Sequence, residues 1–134
     1  MNPAAIAIAL WPELLKLVKK LGGWIIDKLV EIGARALQRL CVRRIRKLKR
    51  RAVKNKTKEG RKLNESKAMR RTRRRSKVLD RKIEGWKQLN AWLVKNSERI
   101  EEKVAKEIEA VYNRAISEKL LDLGTRFDYH PSTP

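Results

Sequence analysis

The sequence predicts an all-α protein built from extended helices, and three observations carry that expectation. The four prolines, Pro3, Pro12, Pro131 and Pro134, all sit near the ends, so proline breaks no helix in the long interval between them. Apolar residues recur at steps of three and four, and nowhere alternate with polar ones as a half-buried strand requires. No internal repeat and no Gly/Ser- or Pro-rich linker divides the chain. With 134 residues, 37% charged and 5% aromatic, the helices have little material for a compact core of their own.

The charge divides the chain into parts. Lys and Arg number 35 against 15 Asp and Glu, a formal +20. Residues 1–34 and 83–134 are each within one charge of neutral, so residues 35–82 carry the whole excess with 23 Lys and Arg against Glu59, Glu65 and Asp80. The organisation read from this is an apolar head (1–34), a cationic segment (35–82), an association helix (83–123) and an extended tail (124–134). Such a concentration of one sign repels itself, and calls for a polyanionic partner.

In the head, residues 4–11 are uncharged, and Pro12 and Glu13 are suited to open a helix. Leu14, Leu17, Val18, Leu21, Ile25, Leu29 and Ile32 then follow helical spacing, with Glu13, Lys16, Lys20, Asp27 and Glu31 on the other side. Gly22-Gly23 marks a hinge or turn. The longest charge-free stretch, residues 1–12, falls short of the roughly 20 that cross a bilayer. No positive leader or small-residue cleavage site accompanies it, so a non-secreted, intracellular protein is expected. Trp11, Leu14, Leu17, Val18, Leu21, Trp24, Ile25 and Leu29 therefore read as a contact face, for protein subunits or for a membrane surface. In the second case the tryptophans sit at headgroup depth and Lys16, Lys19, Lys20 and Lys28 face anionic lipid.

The cationic segment opens with an amphipathic helix. Leu37, Leu40, Cys41, Ile45, Leu48 and Ala52 form one stripe, and Arg35, Arg39, Arg43, Arg46, Arg50 and Lys54 a second at steps of 4, 4, 3, 4 and 4. That spacing places one cation per helical turn along a single face, widened by Arg44, Lys47, Lys49 and Arg51. Residues 55–77 keep only Leu63, Ala68 and Met69 of the apolar pattern. Asn55, Gly60 and Asn64 read as turn or helix-end signals, so this part is expected to order only on an anionic surface. It contains the run Arg70, Arg71, Thr72, Arg73, Arg74, Arg75, followed by Lys77. Fourteen of the segment's 23 basic residues are arginine, which favours bidentate contact with phosphate. No Phe, Tyr or Trp occurs in 35–82, which removes base stacking as a binding mode.

The association helix returns to apolar spacing. Leu89, Leu93, Ser97, Ile100, Val104, Ile108, Val111 and Ala115 form a stripe, prolonged toward the basic part by Leu79, Ile83 and Trp86. A single helix over 67–123, ending at Gly124, would span about 85 Å. Its stripe must pack on the chain's own earlier helix, on copies of itself or on a scaffold. Phe127 and Tyr129 in the tail suit a neighbour's groove.

Cys41 is the only cysteine and His130 the only histidine, which excludes an internal disulfide and a Cys/His zinc site. No Gly-rich phosphate loop or nucleophile motif appears, so no enzyme activity and no cofactor is expected. The expected function is structural: binding the phosphates of DNA or RNA without sequence preference, and organising a genome within a larger assembly such as a virion. A membrane-peripheral protein using head and polybasic segment on anionic lipid is the alternative, and a ribosomal-type RNA binder a further one.

Overall fold

The computed structural model describes residues 2–61 and 66–118, with side chains described at 2–56 and 70–118. It is all-helical: four helices, α1 (Pro3–Leu21), α2 (Trp24–Arg61), α3 (Ser66–Asn96) and α4 (Glu102–Ser117), and no strand among the described residues. No described helix is long and apolar enough to cross a membrane. The described residues up to Gln38 and from Ala91 onward form one compact unit, and Arg39–Asn90 a second.

In the first unit α1 begins at Pro3, not at Pro12. The Asn2 side chain caps it by accepting from the Ala4 N–H at 3.0 Å, and Pro3 occupies the first turn, where its missing N–H costs nothing. Pro12 therefore lies inside the helix and leaves the Ile8 carbonyl without its usual donor. Ile8 is exposed, so water can take the donor's place. The helix stops at Gly22, whose φ of 109° no side-chain-bearing residue adopts readily; a Cβ there would also meet the Trp24 ring at 3.2 Å. The Gly22 N–H returns to the Val18 carbonyl at 2.8 Å, and the Trp24 indole N–H donates to the Leu21 carbonyl at 2.8 Å. A second break, at Gly33 with φ 84°, divides α2 into two helical stretches.

The expected single helix over 67–123 is broken as well. α3 ends at Asn96, residues 97–99 turn, and α4 starts at Glu102. Asn96 makes the stop: its buried amide donates to the Trp92 carbonyl at 2.9 Å, while its own carbonyl accepts from the Arg99 N–H at 3.0 Å. The break lets α4 pack on α1. Expectations for residues 119–134, including the Gly124 stop and the Phe127/Tyr129 tail, lie outside the described residues.

That packing gives the apolar head an occupant within its own chain. Leu14, Leu17, Val18, Leu21, Ile25 and Leu29, read as a face for subunits or lipid, are buried, as are Leu93, Ile100, Val104 and Ile108 from the association stripe. Val111 is half-buried. Trp11, also half-buried, meets Tyr112 with ring centroids 6.3 Å apart and planes tilted by 59°, a favourable edge-on geometry. Burial, and secondarily the charge of Asp27, hold the Tyr112 hydroxyl above the ordinary phenol range. Lys95–Glu13 at 3.6 Å and Lys106–Glu102 at 3.4 Å are exposed pairs on this unit's surface and add little.

Leu14 has no exposed surface, so Leu14→Ala removes a packed side chain and leaves a cavity. It should lower unfolding free energy by about 2–5 kcal/mol in urea titration. In the second unit Cys41 is equally buried, and burial pushes its thiol up from 9.0 to about 12. The native protein should resist iodoacetamide at pH 8 and react once denatured. Because the folded thiol holds its proton more tightly than the unfolded one, its contribution to stability is complete below about pH 9 and is lost as pH rises toward 12.

Candidate nucleic-acid interface

The second unit is an antiparallel hairpin of α2 and α3, and its seam decides where the cations point. On α2 Cys41, Ile45, Leu48, Ala52 and Asn55 are buried or half-buried at steps of 4, 3, 4 and 3, with Val42, Arg44 and Lys47 half-buried beside them. On α3 Thr72, Ser76, Leu79, Ile83, Trp86 and Asn90 follow the same alternation of fours and threes, with Gly85 and Leu89 buried beside them and Lys82 and Gln88 half-buried. This is the spacing of a coiled-coil seam. It is mostly apolar at the Cys41 end, Asn90 excepted, and polar at the Asn55 end.

The polar end corrects two expectations. Asn55 is not a helix end but a buried residue inside α2, which continues to Arg61. Its amide donates both protons across the hairpin, to the Thr72 carbonyl and to the Ser76 hydroxyl, each at 2.8 Å. The described part of 55–77 is accordingly helical rather than irregular, because the seam persists there in small polar residues. Asn64 and Leu63 lie outside the described residues.

With the seam turned inward, the basic residues turn outward. The stripe Arg35, Arg39, Arg43, Arg46, Arg50 and Lys54 is exposed throughout, as is Arg51; Arg35 belongs to the first unit and the rest to the second. Arg44 and Lys47 are half-buried beside the seam. On α3, Arg70, Arg71, Arg73, Arg74, Arg75 and Lys77 are all exposed, surrounding the one buried position of that run, Thr72. Both helices thus present guanidinium groups to solvent, where bidentate contact with phosphate is geometrically open.

The two units differ sharply in charge. Among described residues of the first, ten Lys and Arg meet nine acids; Arg39–Asn90 holds 23 Lys and Arg against Glu59, Glu65, Asp80 and Glu84. Arginines at i,i+4 each weaken an isolated helix by about 0.2–0.5 kcal/mol, a cost the seam must offset.

A groove of about 500 Å³ runs between α2 and α3 on the second unit. Arg51, Lys54, Arg74, Arg75 and Lys82 rim it, and Val78 and Leu79 line it with Asn55. Sequence reasoning placed four of those cations but missed Lys82 and the two aliphatic residues. Their spacing along α3 was visible; their opposition to residues 51–55 depends on the hairpin register, which Asn55 reveals. Among the described residues no three His, Cys, Asp or Glu side chains gather as a metal-ligand set. Comparison with protein families, curated proteins and solved structures finds no match.

Removing the Asn55 amide while keeping its partners should be costly. Asn55→Ala is expected to lower unfolding free energy by about 1–3 kcal/mol in urea titration. Asn55→Leu, which fills the space with an apolar group, should cost less, since it leaves no cavity, the Thr72 carbonyl sits within α3, and the Ser76 hydroxyl can rotate to an intrahelical carbonyl.

Proposed function

We propose that this chain is a non-enzymatic structural protein that binds the phosphate backbone of nucleic acid and organises a genome within a larger assembly, such as a virion. One observation supports this above the others: a folded hairpin directs arginines from both helices outward while its seam takes up uncharged residues such as Cys41, Leu48, Asn55, Thr72 and Trp86. A basic run on an unstructured arm is compatible with many roles. The same residues arrayed on two packed helices form a surface whose cations recur once per turn, about 5.4 Å apart along each helix. Duplex nucleic acid carries one charge per about 1.7 Å of axis and can meet several of them together.

The reading also specifies a mode. Residues 35–82 hold no aromatic side chain and the hairpin's Trp86 is buried, so no stacking platform is exposed and contacts fall on phosphates and carry no sequence information. Insertion of the head at a membrane surface would require Leu14, Val18, Ile25 and Leu29 to leave the core that buries them. The phosphate reading requires no such opening. Arg44 and Lys47 are half-buried and serve less directly than their exposed neighbours.

Titration of duplex DNA and duplex RNA at several salt concentrations tests the proposal. Log affinity should fall linearly with log salt, with a slope of about −0.9 for each DNA phosphate neutralised. Replacing Arg39, Arg43 and Arg46 by Gln should reduce that slope by up to about 2.7 and weaken unrelated sequences equally. A salt-independent affinity, or none, would remove the proposal.

A further inference from the structure

The groove on the hairpin has a composition that phosphate-backbone binding alone does not use. Five cations, Arg51, Lys54, Arg74, Arg75 and Lys82, stand around it, and no carboxylate lines it. Between them lie Val78, 48% exposed, and the half-buried Leu79. The alkyl stems of long basic side chains extend such an apolar strip while their heads stay wet. Asn55 spends both amide protons on Thr72 and Ser76, so it offers the groove no free amide donor.

A ligand must suit both the rim and the floor. A bare phosphodiester would pair with the cations and leave Val78 in water. A nucleotide would add a base, but no aromatic residue between 35 and 82 can receive it. An acid joined to an aliphatic chain suits both: its head takes the guanidinium and ammonium groups, and its chain covers the floor. About 500 Å³ lies within the range of small-molecule clefts, and suits one chain.

The geometry points to a binding site for a single-chain anionic amphiphile, an alkyl phosphate or carboxylate taken as a monomer, in the groove between α2 and α3. Four of its rim cations also belong to the proposed phosphate-binding surface, so amphiphile and nucleic acid compete for them. The site itself stands on the groove's own lining, whether or not nucleic acid is the hairpin's main partner.

Calorimetry with the full-length protein and a series of butyl, hexyl and octyl phosphate, each kept below micelle formation, tests this. Affinity should rise by up to about fourfold per added methylene while the chain remains on the floor. Inorganic phosphate should bind more weakly than any of them, and neutral octyl glucoside should not bind. Val78→Ser should flatten the chain-length dependence yet leave duplex affinity unchanged, because it alters no charge. Lys82→Gln should weaken every alkyl phosphate. Octyl phosphate binding no tighter than inorganic phosphate, an unaltered chain-length series in Val78→Ser, or binding to anionic vesicles only, would each overturn the site. Duplex binding measured on the same samples separates the two proposals: retained duplex binding with no chain-length effect rejects the groove alone, and the converse rejects only the phosphate surface.

Discussion

Electrostatic repulsion on the hairpin is the constraint to which the rest of its structure answers. Within Arg39–Asn90, 23 basic side chains face four acids. No ordinary surface pairing neutralises an excess of that size, so the helices are held by what they bury between them. Cys41, Leu48, Ile83, Trp86 and Leu89 supply the apolar part, with Trp86 almost wholly enclosed. Screening by salt weakens the repulsion, and a bound polyanion would remove most of it. The same polyanion would therefore stabilise the fold as it binds, by simple linkage.

The first unit meets the opposite condition. Its described charges nearly cancel, and its stability comes from burial of Leu, Ile and Val from α1, the start of α2 and α4. Three local stops make this packing available: Gly22 and Gly33 at positive φ, and Asn96 bonding back to Trp92. Each ends a run that helical propensity alone would continue. The expected rod of about 85 Å left its stripe to the chain's own earlier helix, to copies of itself or to a scaffold; the turn at 97–99 brings the α4 part of that stripe onto α1, the first of these.

Much of this was legible in the sequence, for identifiable reasons. The helical class followed from proline placement and the three-four spacing. The stripe from Arg35 to Lys54 was readable because apolar and basic periodicities ran side by side on one helix, and the Gly22-Gly23 pair marked its turn openly. Gly33 was harder, since a lone glycine in a helical pattern is usually tolerated and only the backbone angle shows that it turns the chain. Asn96-Ser97 lay hidden because Ser97 kept the stripe in phase across the break. On α3 the apolar count found Leu79, Ile83 and Trp86 but not the start of the seam, because its first two positions are Thr72 and Ser76.

Those two polar positions explain how such a seam can be specific. A seam of aliphatic residues alone would pair almost as well after sliding by one helical turn, since steps of three and four recur. Asn55 removes that freedom: its two protons find the Thr72 carbonyl and the Ser76 hydroxyl in one register only. A slip would bury an unsatisfied amide, which costs more than a mispacked methyl group. The register so selected also sets Arg51 and Lys54 opposite Arg74, Arg75 and Lys82 around one groove. The least charged residues of the arginine-rich segment thus determine where its charges stand.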